Sequence, residues 1–166
     1  KMVDVTIYVS SQAELYEALT NATGGETILL APGNYGSISL GGWSGNQIDF
    51  ASEVTIRSVD SVSPASFSGL LLEGVSNLTF DSVKFDYQFL DGDPLWVSPF
   101  VISGSAGVSI LNSVFDGDLA FGTSLIDDGF GFGRGLVVRG SDNITVSGNE
   151  FFNWHRAALV LESEFI

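Results

Sequence analysis

The stretch Val108-Ser109-Ile110-Leu111-Asn112-Ser113-Val114-Phe115 decides the fold. It opens on an apolar–hydroxyl–apolar triplet and reaches a Phe five residues after the triplet ends. The same grammar recurs at Leu78-Thr79-Phe80 with Phe85 and at Ile144-Thr145-Val146 with Phe151. Val54-Thr55-Ile56 has the triplet, but Ser61 stands in the Phe place. Apolar runs precede three of the triplets across short Gly-containing turns: Leu70-Leu71-Leu72, Phe100-Val101-Ile102 and Leu136-Val137-Val138. From one triplet to the next the spacing is 24, then 30, then 36 residues.

Constant strands joined by loops of changing length describe a chain that winds in coils. In a parallel solenoid each coil lies about 4.8 Å above the last and like residues stack. Apolar–hydroxyl–apolar is then the alternation of inward and outward side chains. A β-sandwich has turn signals every ~8–12 residues but gives no reason for Phe positions to align. The expected fold is all-β: a right-handed, single-stranded parallel β-helix occupying residues 1–166 as one domain, with coils from about residue 26.

One segment reads as helix, over about 11–22. Ser11 and Glu14 have capping-box spacing, and Leu15, Ala18, Leu19 and Ala22 form one apolar stripe. Gly24-Gly25 is expected at its C-terminal stop. An amphipathic helix ahead of Thr27-Ile28-Leu29-Leu30 suits an N-terminal cap, because an open solenoid end exposes core and strand edge. No such element follows Ala158-Leu159-Val160-Leu161. The chain is therefore expected to be a C-terminally truncated part of a longer protein, with end-to-end self-association through the uncapped last coil.

Composition narrows the function. The 166 residues are 45% hydrophobic, enough for a sizeable core, and contain 20 acidic against 6 basic residues, a net charge of −14. A phosphate backbone needs clustered Lys and Arg, so nucleic acid is excluded, and an anionic membrane surface is disfavoured. There is no Cys and a single His, which removes thiolate chemistry and the usual zinc sites.

Val9-Ser10-Ser11-Gln12-Ala13-Glu14-Leu15, followed by Gly24-Gly25-Glu26-Thr27-Ile28-Leu29-Leu30-Ala31-Pro32-Gly33-Asn34-Tyr35, resembles the N-terminal entry of secreted right-handed β-helix proteins. It is similar to the opening of alginate lyases and chondroitinase B-like lyases, and more loosely of mannuronan epimerases. Asn143-Ile144-Thr145-Val146-Ser147-Gly148-Asn149-Glu150-Phe151 resembles their generic repeat. The resemblance implies a secreted or cell-surface bacterial protein that acts on an acidic polysaccharide, as a polyuronate lyase or epimerase. The Lys and Arg motifs of the lyases and the Asp-Pro-His motif of the epimerases are absent from this sequence. The resemblance thus implies fold and substrate class, and it leaves open a non-catalytic glycan-binding or adhesin module of a large exported protein.

The loops after Phe85, Phe115 and Phe151 leave the same corner of successive coils and are expected to stack on one face. Long loops on a rigid scaffold are where function concentrates. Asp91, Asp93, Asp116 and Asp118 lie in two Asp-Gly-Asp turns, an oxygen-rich set suited to Ca²⁺ in an irregular loop site. Turn formation alone also accounts for Asp and Gly there. Trp96 and Trp154 offer aromatic faces for sugar rings, and Asp127 and Asp128 offer polar edges for hydroxyls. Arg134 and Arg156 are candidates to neutralise a uronate carboxylate. His155 is the candidate general base, since imidazole titrates near neutrality, set against a structural turn residue packed on Trp154. The sequons at Asn77 and Asn143 share one repeat position, where a turn residue is the simpler reading.

Overall fold

The computed structural model describes residues 4–45, 47–122 and 128–163. β1 (Thr6–Val9) leads into α1 (Gln12–Asn21), β2 (Thr27–Leu30) and β3 (Ser37–Gly41). β4 (Asp49–Ser58), β5 (Ser66–Phe67) and β6 (Gly69–Glu73) come next, then β7 (Ser76–Asp81), β8 (Lys84–Asp86) and β9 (Phe100–Ser103). β10 (Ala106–Leu111), β11 (Val114–Asp116) and β12 (Arg134–Arg139) are followed by β13 (Thr145–Ser147), β14 (Glu150–Phe152) and β15 (Arg156–Leu161).

These strands form three all-parallel sheets, and the chain visits them in rotation. The first sheet has the order β1-β2-β4-β7-β10-β13, the second β5-β8-β11-β14, the third β3-β6-β9-β12-β15. Each strand therefore pairs with its equivalent one circuit away, an arrangement compatible with a solenoid. Register follows the sequence repeat. Thr6, Thr27, Thr55, Thr79, Ser109 and Thr145 are consecutive partners, a hydroxyl row across all six strands of the first sheet. Their neighbours Ile28, Ile56, Phe80 and Ile110 point inward and are fully buried.

The second sheet carries an aromatic ladder. Phe67, Phe85, Phe115 and Phe151 are register partners. Ring centroids lie 4.5 Å apart for Phe85–Phe115 and 4.4 Å for Phe115–Phe151. Ser61 does not hold the Phe place of the second circuit. The turn after β4 runs over residues 59–65, where later circuits need two residues, so the ladder position falls on Phe67. Tyr35 adds a further ring, 5.7 Å from Phe67. Dense rows of this kind repeat one packing solution, since each new ring meets a neighbour already in place. In the last circuit the inward positions are less covered: Val146 and Phe151 are half-buried and Val160 is 45% exposed.

Polar repetition secures the turns. Val75, Ser105 and Ser141 backbone N–H groups donate to the hydroxyls of Ser105, Ser141 and Ser163 one circuit on, at 3.1, 3.1 and 3.2 Å. Buried amides at these corners are thereby satisfied. Asn77 and Asn143 hold φ of 55° and 54°, the left-handed conformation that Asn tolerates best after Gly.

α1 begins as the sequence suggests, with Ser11 as N-cap accepting from Glu14 N–H at 3.2 Å. The Glu14 carboxylate reaches back to Ser10 N–H at 2.6 Å, one residue before the N-cap. The stop differs from expectation. The C-cap is Ala22 in extended conformation, and Gly24 lies beyond the glycine position of a left-handed cap. Glu26 does the terminating instead, accepting from the N–H groups of Thr23 and Gly24, each at 2.8 Å. Leu15, Ala18 and Leu19 are buried in the core. Gln12 donates to the carbonyls of Tyr35 and Ser37, and Ser39 N–H donates to the Tyr16 hydroxyl. Helix side chains thus meet the backbone groups of β3, the outermost strand of its sheet. Among the described residues no helix is long and apolar enough to cross a membrane.

Candidate functional site

Three loops link the second sheet to the third: 87–99, 117–133 and 153–155. Their ends lie side by side, because backbone bonds run from the ends of one loop to the strand ends that flank another. Gly117 N–H donates to Phe152 O at 2.9 Å, Arg134 N–H to Val97 O at 2.8 Å, and Arg156 N–H to Gly133 O at 3.1 Å. The stack ends at a cleft of about 220 Å³ lined by Leu95, Trp96, Arg134, His155 and Arg156. Residues separated by sixty positions meet there because the repeat brings their loops to one corner.

Arg134 and Arg156 are register partners at the first positions of β12 and β15. Parallel neighbours lie about 4.8 Å apart, so two cations share one face of the sheet. The ion pairs among the described residues involve Arg57 and Lys84, not this pair. Trp96 is 65% exposed and His155 is exposed beside it. In a chain of net charge −14 this is a local patch of positive charge with an open aromatic face.

Trp154 is not in the cleft wall. Its indole stacks on Tyr87 with centroids 5.5 Å apart, and Nε1 donates to Phe115 O at 2.9 Å. Gly131, in the run Gly129-Phe130-Gly131-Phe132-Gly133, makes room for it: a Cβ there would stand 2.7 Å from the Trp154 backbone nitrogen. Trp154 therefore packs the loops together, and the aromatic face that lines the cleft is that of Trp96. His155 follows directly, is exposed and lines the cleft.

The aspartates are dispersed among protein partners. Asp93 accepts from the Tyr87 hydroxyl at 2.7 Å and from Leu90 N–H at 3.1 Å. Asp118 accepts from Phe89 N–H and from Leu119 N–H, each at 2.9 Å. Asp116 pairs with Lys84 Nζ at 2.7 Å, and the same ammonium lies 3.5 Å from Asp86. Asp91 and Asp128 are exposed, and Asp127 lies outside the described residues. Among the described residues no three His, Asp or Glu side chains gather as a metal-binding group. Ca²⁺ ligands converge at about 2.3–2.6 Å on one ion, and the side chains of Asp91, Asp93, Asp116 and Asp118 are not gathered in that way among the described residues. Their visible work is to hold turns and to bond one loop to the next.

Two residues escaped the sequence reading. Tyr87 is buried, and burial, the hydrogen bond to Asp93 and the charges of Asp93 and Asp118 push its phenol far above the ordinary range. It is a fixed donor, not a base. Lys84 is held above its ordinary value by the Asp116 hydrogen bond. Neither sits in a motif; both follow from what the ladder of Phe85 places beside them.

No protein-family model matches the chain, and no curated protein matches it. Among solved structures, an alginate lyase from Paenibacillus sp. str. FPU-7 is similar to it, at 21% identity and a TM-score of 0.47. The match covers 96% of this chain and 66% of that one, so the chain spans just under two thirds of that protein's length.

Proposed function

We propose that this chain is part of a right-handed, single-stranded parallel β-helix, capped by α1, that acts on an acidic polysaccharide of the polyuronate class outside a bacterial cell. The observation that carries the reading is the Arg134–Arg156 pair beside the open face of Trp96. Two adjacent cations that have no carboxylate partner among the described residues repel each other until an anion lies across them. A uronate carboxylate supplies that anion and accepts charge-assisted hydrogen bonds from both guanidinium groups. The indole of Trp96 packs against the pyranose ring that carries it. At about 220 Å³ the cleft is smaller than the roughly 300–1,000 Å³ of drug-sized pockets, so it suits one sugar residue of a polymer lying across its mouth.

With the carboxylate neutralised, the C5 proton becomes acidic enough for a positioned base, and His155 is the group at hand. In a lyase His155 takes that proton, the C5–H electron pair becomes the C4–C5 double bond, and the C4–O bond breaks with its pair on the leaving oxygen, which is then protonated. In an epimerase the proton returns to the opposite face. One observation favours the second reading, a non-catalytic glycan-binding module: among the described residues that line the cleft there is no carboxylate or Tyr to serve the leaving oxygen. The experiment incubates the protein with polymannuronate, polyguluronate and polygalacturonate, with and without calcium, and follows ultraviolet absorbance of unsaturated products alongside binding. Turnover lost in His155→Ala supports the enzyme. Binding without turnover, lost in Arg156→Ala, supports the module. Absence of both sinks the polyuronate assignment.

A further inference from the structure

A second, larger depression lies where the chain turns from the first sheet into the second, and none of its residues belongs to the three stacked loops. Its volume is about 680 Å³, and its lining includes Tyr8, Arg57, Ser61, Asp81, Ser82 and Asn112. We propose that this groove binds a neutral, hydroxyl-bearing oligosaccharide segment.

The groove exists because one turn is long. Residues 59–65 join β4 to β5, whereas residues 82–83 and 112–113 suffice for the same corner in the next two circuits. Val59 and Ser61 of the long turn and Ser82 and Asn112 of the short turns line the groove, beside a floor of strand residues. Tyr8, Leu29, Arg57 and Asp81 are successive register partners in β1, β2, β4 and β7, so the floor follows the stacking direction. Its rungs repeat at about 4.8 Å, close to the length of one sugar residue in an extended chain. The volume falls inside the roughly 300–1,000 Å³ of ligand pockets, which the Arg134–Arg156 cleft does not reach.

The polar groups are fixed before any ligand arrives. Asp81 Oδ1 accepts from Asn112 Nδ2 and from the Ser82 hydroxyl, each at 3.0 Å. Asp81 Oδ2 lies 3.9 Å from Arg57 Nη1. Ser82 and Asn112 hold φ of 56° and 48°, which locks their turns. Preorganised donors and acceptors of this kind cost little further entropy on binding. At one end Tyr8 is 72% exposed, an aromatic face free to stack on a sugar ring.

Charge selects the class of sugar. Arg57 already faces Asp81, so the groove has no excess positive charge to offer. A carboxylate entering it would compete with Asp81 and meet the repulsion of a chain of net charge −14. A neutral glycan meets neither obstacle, while Arg57 keeps N–H groups for its hydroxyls. The two depressions therefore divide the chemistry: two adjacent arginines for a uronate, a balanced Arg–Asp–Asn network for neutral sugars.

The test is native electrophoresis through gels containing galactomannan or polymannuronate. Galactomannan is expected to retard the protein. Tyr8→Ala and Arg57→Gln should each weaken that association by about tenfold or more, as truncation of an interface anchor does, and Tyr8→Phe should retain most of it. Trp96→Ala should leave it unchanged. No retardation by galactomannan, or retardation undiminished in both Tyr8→Ala and Arg57→Gln, overturns the proposal. So does Tyr8-dependent retardation by polymannuronate, which would make the groove a uronate site. Failure of the cleft reading is visible separately, as polymannuronate retardation that is absent or indifferent to Arg156→Ala.

Discussion

Arg134 and Arg156 occupy the same register position of adjacent parallel strands, and among the described residues no carboxylate pairs with either. A sheet does not need this arrangement, since like charges directly beside each other oppose pairing. Replacing either with Ala is expected to leave the thermal midpoint unchanged or slightly raised. Polyuronate affinity should fall by about tenfold or more, because a charge-assisted hydrogen bond contributes about 1.5–3 kcal/mol. Calorimetric titration with a uronate oligosaccharide, beside a melting curve, separates the two effects. A large loss of stability with unchanged affinity would assign the pair to the scaffold.

The aromatic ladder should be graded in its energetics. Phe115 is fully buried between Phe85 and Phe151, so Phe115→Ala should cost about 3–5 kcal/mol. Phe151 is half-buried and stacks on the ring of Phe115 alone, so Phe151→Ala should cost clearly less. Urea unfolding of both variants checks the order.

Thr79 is buried at 3% exposure, and its hydroxyl has no hydrogen-bond partner. An unsatisfied buried polar group costs about 1–3 kcal/mol. Val has nearly the same shape and a strong preference for strands. Thr79→Val should therefore stabilise by about 1 kcal/mol and raise the thermal midpoint by about 2–4 °C for a domain of this size. A fall in the midpoint would mean that the hydroxyl has a partner in solution.

Glu26 ties the end of α1 to β2. Burial opposes its charge, but the N–H groups of Thr23 and Gly24 outweigh burial and hold the carboxyl below its ordinary value. A carboxyl lowered in the folded state stabilises above its unfolded value of about 4.3 and loses that contribution as pH falls through the folded value. The wild-type midpoint should decline across this acid window. Glu26→Gln should start lower at neutral pH and decline less. Parallel pH profiles of the two proteins would remove Glu26 as the linked group.

Much of the scaffold is legible in short-range pattern. Apolar–hydroxyl–apolar alternation dictates which side chains face in, and the hydroxyl row from Thr55 to Thr145 pairs as that alternation requires. The row extends to Thr6 and Thr27, which lie outside the recognised triplets. Phe67 was hidden for a related reason: ladder membership depends on spatial register, and a longer turn moves the residue that occupies it. The Ser105, Ser141 and Ser163 corner is likewise visible only once the circuits are superposed.

The candidate site divides along the same line. That the three loops share a corner follows from their common position after the Phe ladder, and the shared cleft of Trp96, Arg134, His155 and Arg156 agrees with it. Sequence cannot say which aromatic is spent on packing. Trp154 is taken by Tyr87 and the Phe115 carbonyl, contacts that cross 67 and 39 positions, whereas Trp96 keeps an open face in the cleft wall. The same holds for the carboxylates, whose partners lie in other loops.

By itself, then, the sequence determined the parallel winding, the inward and outward faces and the start of α1, because these depend on period-two alternation, aromatic spacing and capping within a few residues. The tertiary structure alone decided which polar groups are consumed and which remain free. Pairing Asp116 with Lys84 while leaving Arg134 and Arg156 without a carboxylate among the described residues is a matter of distances between circuits. Those distances depend on loop length and stacking height, and neither is written in any local stretch of chain.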